Sequence, residues 1–215
     1  LISTILFDLD GTLVDTAPDL GHALNIQLER HGRKPLSEAT IRPFASHGSR
    51  GLIGLGFGIT PSDDNFIDMR DEYLAIYDTV FMRSPVLLDG IAELLQAIEN
   101  KGLKWGIVTN KPGRFTRRLI ESMGLEKRAA CVVSGDDAPK PKPSPETLLL
   151  ACNQIGVSPQ HCLYVGDAER DIQAGKAAGL KTVVALFGYI DVTDKPYEWG
   201  ADALIGEPKA LLDLI

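Results

Sequence analysis

The chain has 215 residues, 44% of them hydrophobic and 24% charged, with 22 basic against 29 acidic residues for a formal net charge of −7. That length suits one large domain or a domain carrying an insertion, since single cores stop growing near ~250 residues. Ordinary glycine, proline and aromatic contents exclude fibrous and disordered classes. The acidic balance argues against nucleic-acid and anionic-membrane partners, which need clustered Lys and Arg, and leaves room for a small phosphorylated molecule.

In chain order, residues 2–7 form a β-branched and aromatic run that stops at Asp8-Leu9-Asp10-Gly11, the pattern of a buried strand ending in a turn. Residues 16–82 contain no convincing strand. Their apolar spacing predicts helices over 18–31, 38–45, 50–57 and 63–81, with Ser37 and Ser62 as N-caps. Beyond them, strands at 103–108, 130–134, 162–165, 182–185 and 203–205 alternate with helical segments at 91–100, 114–123, 146–155 and 169–178. Each of these segments is followed closely by glycine, and Ser144-Pro145 precedes the third as N-cap and first helical residue. Such alternation implies right-handed crossovers and an α/β fold, a doubly wound parallel sheet covered on both faces. The expected organisation is an α/β core of residues 1–15 and 83–215, with a small helical cap, residues 16–82, inserted after the first strand. Cys131, Cys152 and Cys162 show no paired spacing, so free buried thiols in a reducing compartment are expected. The apolar start lacks a basic region, and no run approaches ~18 apolar residues, so neither a signal peptide nor a membrane span is expected. The expectation is a soluble cytoplasmic protein, monomer or homodimer.

Ligands of open α/β sheets bind beyond the carboxyl ends of the strands. The polar residues there are Asp8 and Asp10, Thr109 and Asn110, Ser134 to Asp137, and Gly166-Asp167. Acids clustered on one rim repel one another unless a cation sits among them, and hard oxygen ligands suit Mg²⁺. Such a site matches phosphate-ester chemistry, with Lys140 or Lys142 available to balance a phosphoryl dianion.

Four segments, Ile5-Leu6-Phe7-Asp8-Leu9-Asp10-Gly11-Thr12, Val108-Thr109-Asn110, Lys142-Pro143-Ser144-Pro145 and Gly166-Asp167-Ala168-Glu169-Arg170-Asp171, resemble the ordered motifs of the haloacid-dehalogenase-type phosphatases. The resemblance spans essentially the whole chain, and the helical insert is similar to that superfamily's cap. It implies that Asp8 is a nucleophile forming an aspartyl-phosphate and that Asp10 is the general acid and base. Thr109, Asn110 and Lys142 would hold the phosphoryl group. Mg²⁺ would be ligated by Asp8, Asp167 and the main-chain carbonyl of Asp10, with Asp171 steadying these ligands. The resemblance, carried by Lys142-Pro143-Ser144-Pro145, assigns the lysine role to Lys142 rather than Lys140.

Arg50 is the cap residue expected to meet a substrate carboxylate or hydroxyl, against the plain reading of a solvated arginine. Gly51, Gly54, Gly56 and Gly58 miss the spacing of a phosphate loop and are read as packing or flexibility. The four histidines show no ligand spacing. Within the family the chain most resembles the phosphoglycolate phosphatase branch, while its tail, around Phe187-Gly188-Tyr189 and Trp199-Gly200, is also similar to N-acetylmuramic acid 6-phosphate phosphatases. Sugar phosphomutases resemble the chain through the first motif but carry a His where Leu20 stands. A non-catalytic sensor of phosphorylated ligands is disfavoured by the intact Asp8, Asp10, Lys142 and Asp167.

Overall fold

Strand β1 (Thr4–Phe7) has all four residues buried, and its neighbours explain why. A computed structural model describing residues 1–215 places it in the middle of the sheet. The chain continues through β2 (Val14–Asp15), α1 (Ala17–Arg30), α2 (Glu38–Ile41), α3 (Gly48–Phe57), α4 (Phe66–Val80) and β3 (Val86–Leu87). Thereafter helix and strand alternate: α5 (Ile91–Asn100), β4 (Lys104–Val108), α6 (Gly113–Ser122), β5 (Val132–Val133), α7 (Glu146–Ile155), β6 (Cys162–Gly166), α8 (Glu169–Ala178), β7 (Lys181–Ala185) and β8 (Ala203–Ile205). Six strands make one sheet in the order β5-β4-β1-β6-β7-β8, every pair parallel. The chain winds outward from β1 through β4 to β5, then crosses back and winds outward through β6, so the reversal falls at β1. That switch point, at the carboxyl ends of β4, β1 and β6, is where such sheets bind ligands.

Both sheet faces are covered, as strands buried on two sides require. Alternate residues sort cleanly: Ile5, Phe7, Trp105, Ile107 and Val165 join the large core that also holds α5 and α6. Leu6, Val108, Val133, Cys162 and Tyr164 meet α7 and α8 in a second cluster. The three cysteines are free and buried, all within that second cluster.

Helices α1, α3 and α4 pack against each other through Leu20, Leu24 and Leu28, Leu52 and Ile53, and Tyr73, Ile76 and Tyr77. The antiparallel ribbon β2–β3, in register Val14↔Leu87 and Asp15↔Val86, joins the two crossings between this block and the sheet. Next to it, Asp19 of α1 accepts the backbone N–H groups of Arg83 and Ser84 and the Ser84 hydroxyl, at 3.0 to 3.2 Å.

Several boundaries differ from the sequence reading, each for a local reason. The expected helix over 38–45 is α-helical only to Ile41, because Pro43 has no N–H to donate to Ala39, and residues Arg42–His47 tighten into a 3₁₀ turn. Ser37 caps α2 by accepting the Thr40 N–H, as expected. Ser62 caps nothing: Asp63 folds back on the Thr60 N–H and hydroxyl, and α4 starts after Asn65. Ser144 stands one residue outside the cap position, which Pro145 occupies. At Gly56 of α3 a Cβ would lie 2.9 Å from the Leu24 Cδ1, so that glycine lets α3 pack closely on α1. The ribbon strands β2 and β3, two residues each, were not anticipated.

Candidate active site

The site begins with the turn after β1. Asp8 extends the ladder by donating its N–H to the Val165 carbonyl, and the N–H groups of Thr12, Leu13 and Val14 then converge on the Leu9 carbonyl. So tight a turn needs Gly11 at φ +79°, where any Cβ would sit 2.4 Å from Asp167 Oδ2 and 2.6 Å from the Tyr189 ring. The same turn places the Asp8 carboxyl, 3% exposed, beneath a cavity of about 1140 Å³ that lies between the sheet's carboxyl edge and the helical block.

Lys142 is the hub of the floor. Its fully buried ammonium forms ion pairs with Asp8 Oδ1 at 3.0 Å and Asp171 Oδ1 at 2.7 Å and lies within hydrogen-bond distance of the Tyr164 hydroxyl at 2.6 Å and the Val108 carbonyl at 3.1 Å. A buried cation is stable only when paired and hydrogen-bonded in this way. Asn110 fixes its backbone: the Asn110 amide accepts the Lys142 N–H at 2.9 Å and donates to the Lys142 carbonyl at 2.8 Å. One N–H and the carbonyl of that amide are thus engaged in holding the lysine, and the second Nδ2 N–H remains on a residue that lines the cavity. Thr109 is buried at the end of β4, its hydroxyl accepting the Lys111 N–H and its own N–H donating to the Val133 carbonyl. Lys140 is exposed and outside the cavity.

Asp167 and Asp171 arrive on the β6–α8 connection. Gly166 permits this, because a Cβ there would meet Asp171 at 2.5 Å. Asp171 caps α8 by accepting the Ala168 N–H at 3.0 Å. Burial works against its charge, but Lys142 and Arg170 outweigh that and hold its carboxyl below the usual range. Asp167 has no such cation. Burial, with the charges of Asp8 and Asp171, pushes it up to about 7, although the Ser46 hydroxyl at 2.6 Å and the Tyr189 N–H at 2.8 Å both donate to its Oδ2. Burial likewise raises Asp8, despite Lys142.

Asp8, Asp167 and Asp171 bring carboxylate oxygens within 4.8 Å of one another, all buried. Three buried acids, of which only Asp8 and Asp171 pair with a lysine ammonium, fit a divalent cation with oxygen ligands. Since Asp171 is already committed to Lys142 and the helix cap, Asp8 and Asp167 are the pair with capacity to spare.

Four residues of the site escaped the sequence reading. Lys111 is buried, and its ammonium bridges Asp10 at 3.1 Å and the Tyr77 hydroxyl at 2.8 Å. Ser46, in the 3₁₀ turn of the helical block, contacts Asp167 and, at 3.4 Å, the Asp10 carbonyl. Arg170 donates to the Ser46 carbonyl. Tyr189 places its hydroxyl where it accepts the N–H groups of Thr16 and Ala17 and donates to Asp15. Lys111 and Arg170 adjoin recognised motifs and were within reach of a motif-based search; Ser46 carries no sequence signal. Arg50 of α3 lines the same cavity from the opposite wall, exposed and with neither an ion pair nor a side-chain hydrogen bond.

The comparisons agree with this geometry. The haloacid dehalogenase-like hydrolase family model matches residues 5–185, and the chain belongs to that family. It is 40% identical over 214 residues to the N-acetylmuramic acid 6-phosphate phosphatase of Pseudomonas aeruginosa, covering 100% of this chain and 95% of that protein. It is 39% identical over 207 residues to the phosphoglycolate phosphatase of Xanthomonas campestris pv. campestris, covering 96% and 93%. A haloacid dehalogenase-like family protein of Streptococcus pneumoniae superposes with a TM-score of 0.85 at 19% identity, covering 99% and 98% of the two chains, and shares the fold. The enzyme is a phosphoric monoester hydrolase. No helix is long and apolar enough to cross a membrane.

Proposed function

We propose that the protein is a Mg²⁺-dependent phosphatase that hydrolyses a small phosphomonoester through an aspartyl-phosphate on Asp8. One observation carries this reading: Asp8, Lys142 and Asp167 meet at the sheet's switch point, buried under a cavity roofed by helices. A carboxylate oxygen of Asp8 attacks phosphorus as the ester P–O bond breaks, and Asp10 gives its proton to the departing alkoxide. Asp10 then takes a proton from the water that attacks the phosphoryl group, releasing phosphate and regenerating Asp8. Lys142, Thr109 and Asn110 hold phosphoryl oxygens, and Asn110 also keeps Lys142 in place. Asp8, Asp167 and the Asp10 carbonyl would hold Mg²⁺, which supplies charge neutralisation so that an anionic nucleophile can approach an anionic ester. Asp171 anchors Lys142 from below. Residues 16–82 act as a cap on a core of residues 1–15 and 83–215, closing over the substrate to exclude bulk water.

The starting substrate is phosphoglycolate, as the family resemblance suggests. A specific observation favours a second, N-acetylmuramate 6-phosphate: the cavity of about 1140 Å³ exceeds the ~300–1,000 Å³ typical of ligand pockets, and a two-carbon acid leaves most of it empty. Both substrates carry a carboxylate for Arg50. Leu20 borders the cavity while His22 does not, which supports hydrolysis over the mutase alternative. The deciding experiment is kcat/KM over phosphoglycolate, N-acetylmuramate 6-phosphate and simple sugar phosphates, with Mg²⁺ and with chelator, for the wild type, Asp8→Asn and Arg50→Ala. Asp8→Asn should fold and lose turnover; Arg50→Ala should raise KM for the carboxylate substrates about tenfold or more. Absence of any Mg²⁺-dependent phosphate release over the panel sinks the reading.

A further inference from the structure

We infer that Lys111 is a positioning residue for Asp10, aiming one oxygen of its carboxylate at the leaving group and tying that aim to helix α4. The inference rests on the phosphatase reading above. Lys111 lies three residues past the end of β4, with a side chain only 5% exposed. Its ammonium stands 3.1 Å from Asp10 Oδ1 but 3.5 Å from Oδ2, and the Thr16 hydroxyl donates to the same Oδ1. Both anchors therefore grip one oxygen. Oδ2 is left with only the long contact and is the atom free to exchange a proton with a leaving group or a water.

The other end of the arrangement is in the helical block. Lys111 donates to the Tyr77 hydroxyl at 2.8 Å and sits 4.8 Å from the centre of the Tyr77 ring. Tyr77 is itself wedged against Phe81 of the helical block and Phe115 of α6, at ring separations of 5.5 and 5.1 Å. A buried ammonium needs acceptors on every side, so displacing α4 removes one of them and loosens the grip on Asp10. The carboxylate is consequently set in its working orientation only when α4 is seated. This is a geometric role, distinct from that of Lys142, which lies on the Asp8 side of the floor.

The test exploits the leaving group. An alkoxide needs a proton as it departs, whereas p-nitrophenolate does not, so a fault in aiming the acid appears in kcat/KM for an alkyl phosphomonoester far more than for p-nitrophenyl phosphate. Lys111→Met should lower kcat/KM for the alkyl ester by about 100-fold, within the range of general acid catalysis, and for the aryl ester by about fivefold or less. Inhibition by inorganic phosphate should stay within about threefold of wild type. Lys111→Arg should recover at least about tenfold of the alkyl loss, and Tyr77→Phe should lose about three- to tenfold on the alkyl ester alone. Thermal melts establish that each variant is folded, and if Lys111→Met is not, the alkyl-to-aryl ratio is read from Lys111→Arg and Tyr77→Phe. An unchanged ratio in every folded variant overturns the inference. Equal losses on both esters with weakened phosphate inhibition also overturn it, assigning Lys111 to phosphate binding instead. A wild type inactive on both esters is a failure of the phosphatase reading and is distinguishable from either result.

Discussion

Replacing Asp167 by Asn should stabilise the metal-free protein, although it deletes a charged residue from the centre of the site. Asp167 is buried beside Asp8 and Asp171 with no cation of its own, and its carboxyl is raised from 3.8 to about 7. Below pH 3.8 it is protonated in both the folded and unfolded chains and contributes no difference. Between 3.8 and about 7 the unfolded chain has lost the proton while the folded one retains it, so stability falls as pH rises through that window. At about 1.4 kcal/mol per pH unit, the interval from 3.8 to about 7 comes to about 4 kcal/mol at pH 8. Asparagine keeps an acceptor for the Ser46 hydroxyl and the Tyr189 N–H and carries no charge, so most of that penalty is relieved. For a chain of this size about 4 kcal/mol corresponds to a rise in Tm of roughly 8–16 °C. Melts in chelator from pH 5 to 8 should show the variant well above wild type at pH 8, with the gap shrinking on acidification. Mg²⁺ at about a hundred times its Kd should then raise the wild type by about 2.7 kcal/mol and leave the variant unmoved. A variant that melts at or below wild type at pH 8 in chelator refutes the reasoning, as does a gap independent of pH.

Lys142→Met leaves two buried carboxylates without their cation and should cost about 3–5 kcal/mol in urea denaturation, with turnover lost. Gly11→Ala forces a Cβ onto Asp167 and Tyr189 at a positive φ, so soluble yield and Tm should both collapse. Tyr189→Phe removes the hydroxyl shared by Asp15, Thr16 and Ala17. It should cost about 1–3 kcal/mol and speed amide exchange in the first turn of α1, and unchanged exchange there would mean that Tyr189 does not secure the start of that helix.

Much of this molecule is legible in its sequence because the parallel sheet leaves strong local marks. Strands such as β1 and β6 are buried on both faces and so read as short apolar runs, and glycines such as Gly156 and Gly179 end helices in the left-handed conformation at φ +74° and +80°. Motif residues sit at strand ends, where topology alone brings Asp8, Lys142 and Asp167 together. What failed to show was set by tertiary contact. The β2–β3 ribbon is too short for any period to register, and Ser46 reaches Asp167 across 121 positions on a turn with no motif. Lys111 directly follows the second motif, but its partner Tyr77 comes from α4, 34 positions away. The motifs put Asn110 and Lys142 on one phosphoryl group, but the reciprocal amide pair that joins the two residues is visible only in three dimensions.

The order of strands across the sheet bears on how the enzyme is made. β1 has no partner near it in the chain: Thr4 pairs with Lys104 on one side and with Cys162 on the other. During synthesis the helical block, complete by Val80, leaves the ribosome before either neighbour of β1 exists. The apolar Ile5, Leu6 and Phe7 must therefore wait through most of translation for burial, a long-range closure that slows folding and exposes the nascent chain to association. No fragment ending before Asp171 contains the whole carboxylate cluster, so the site is assembled only after the helical block, β4, β5 and β6 have all been made.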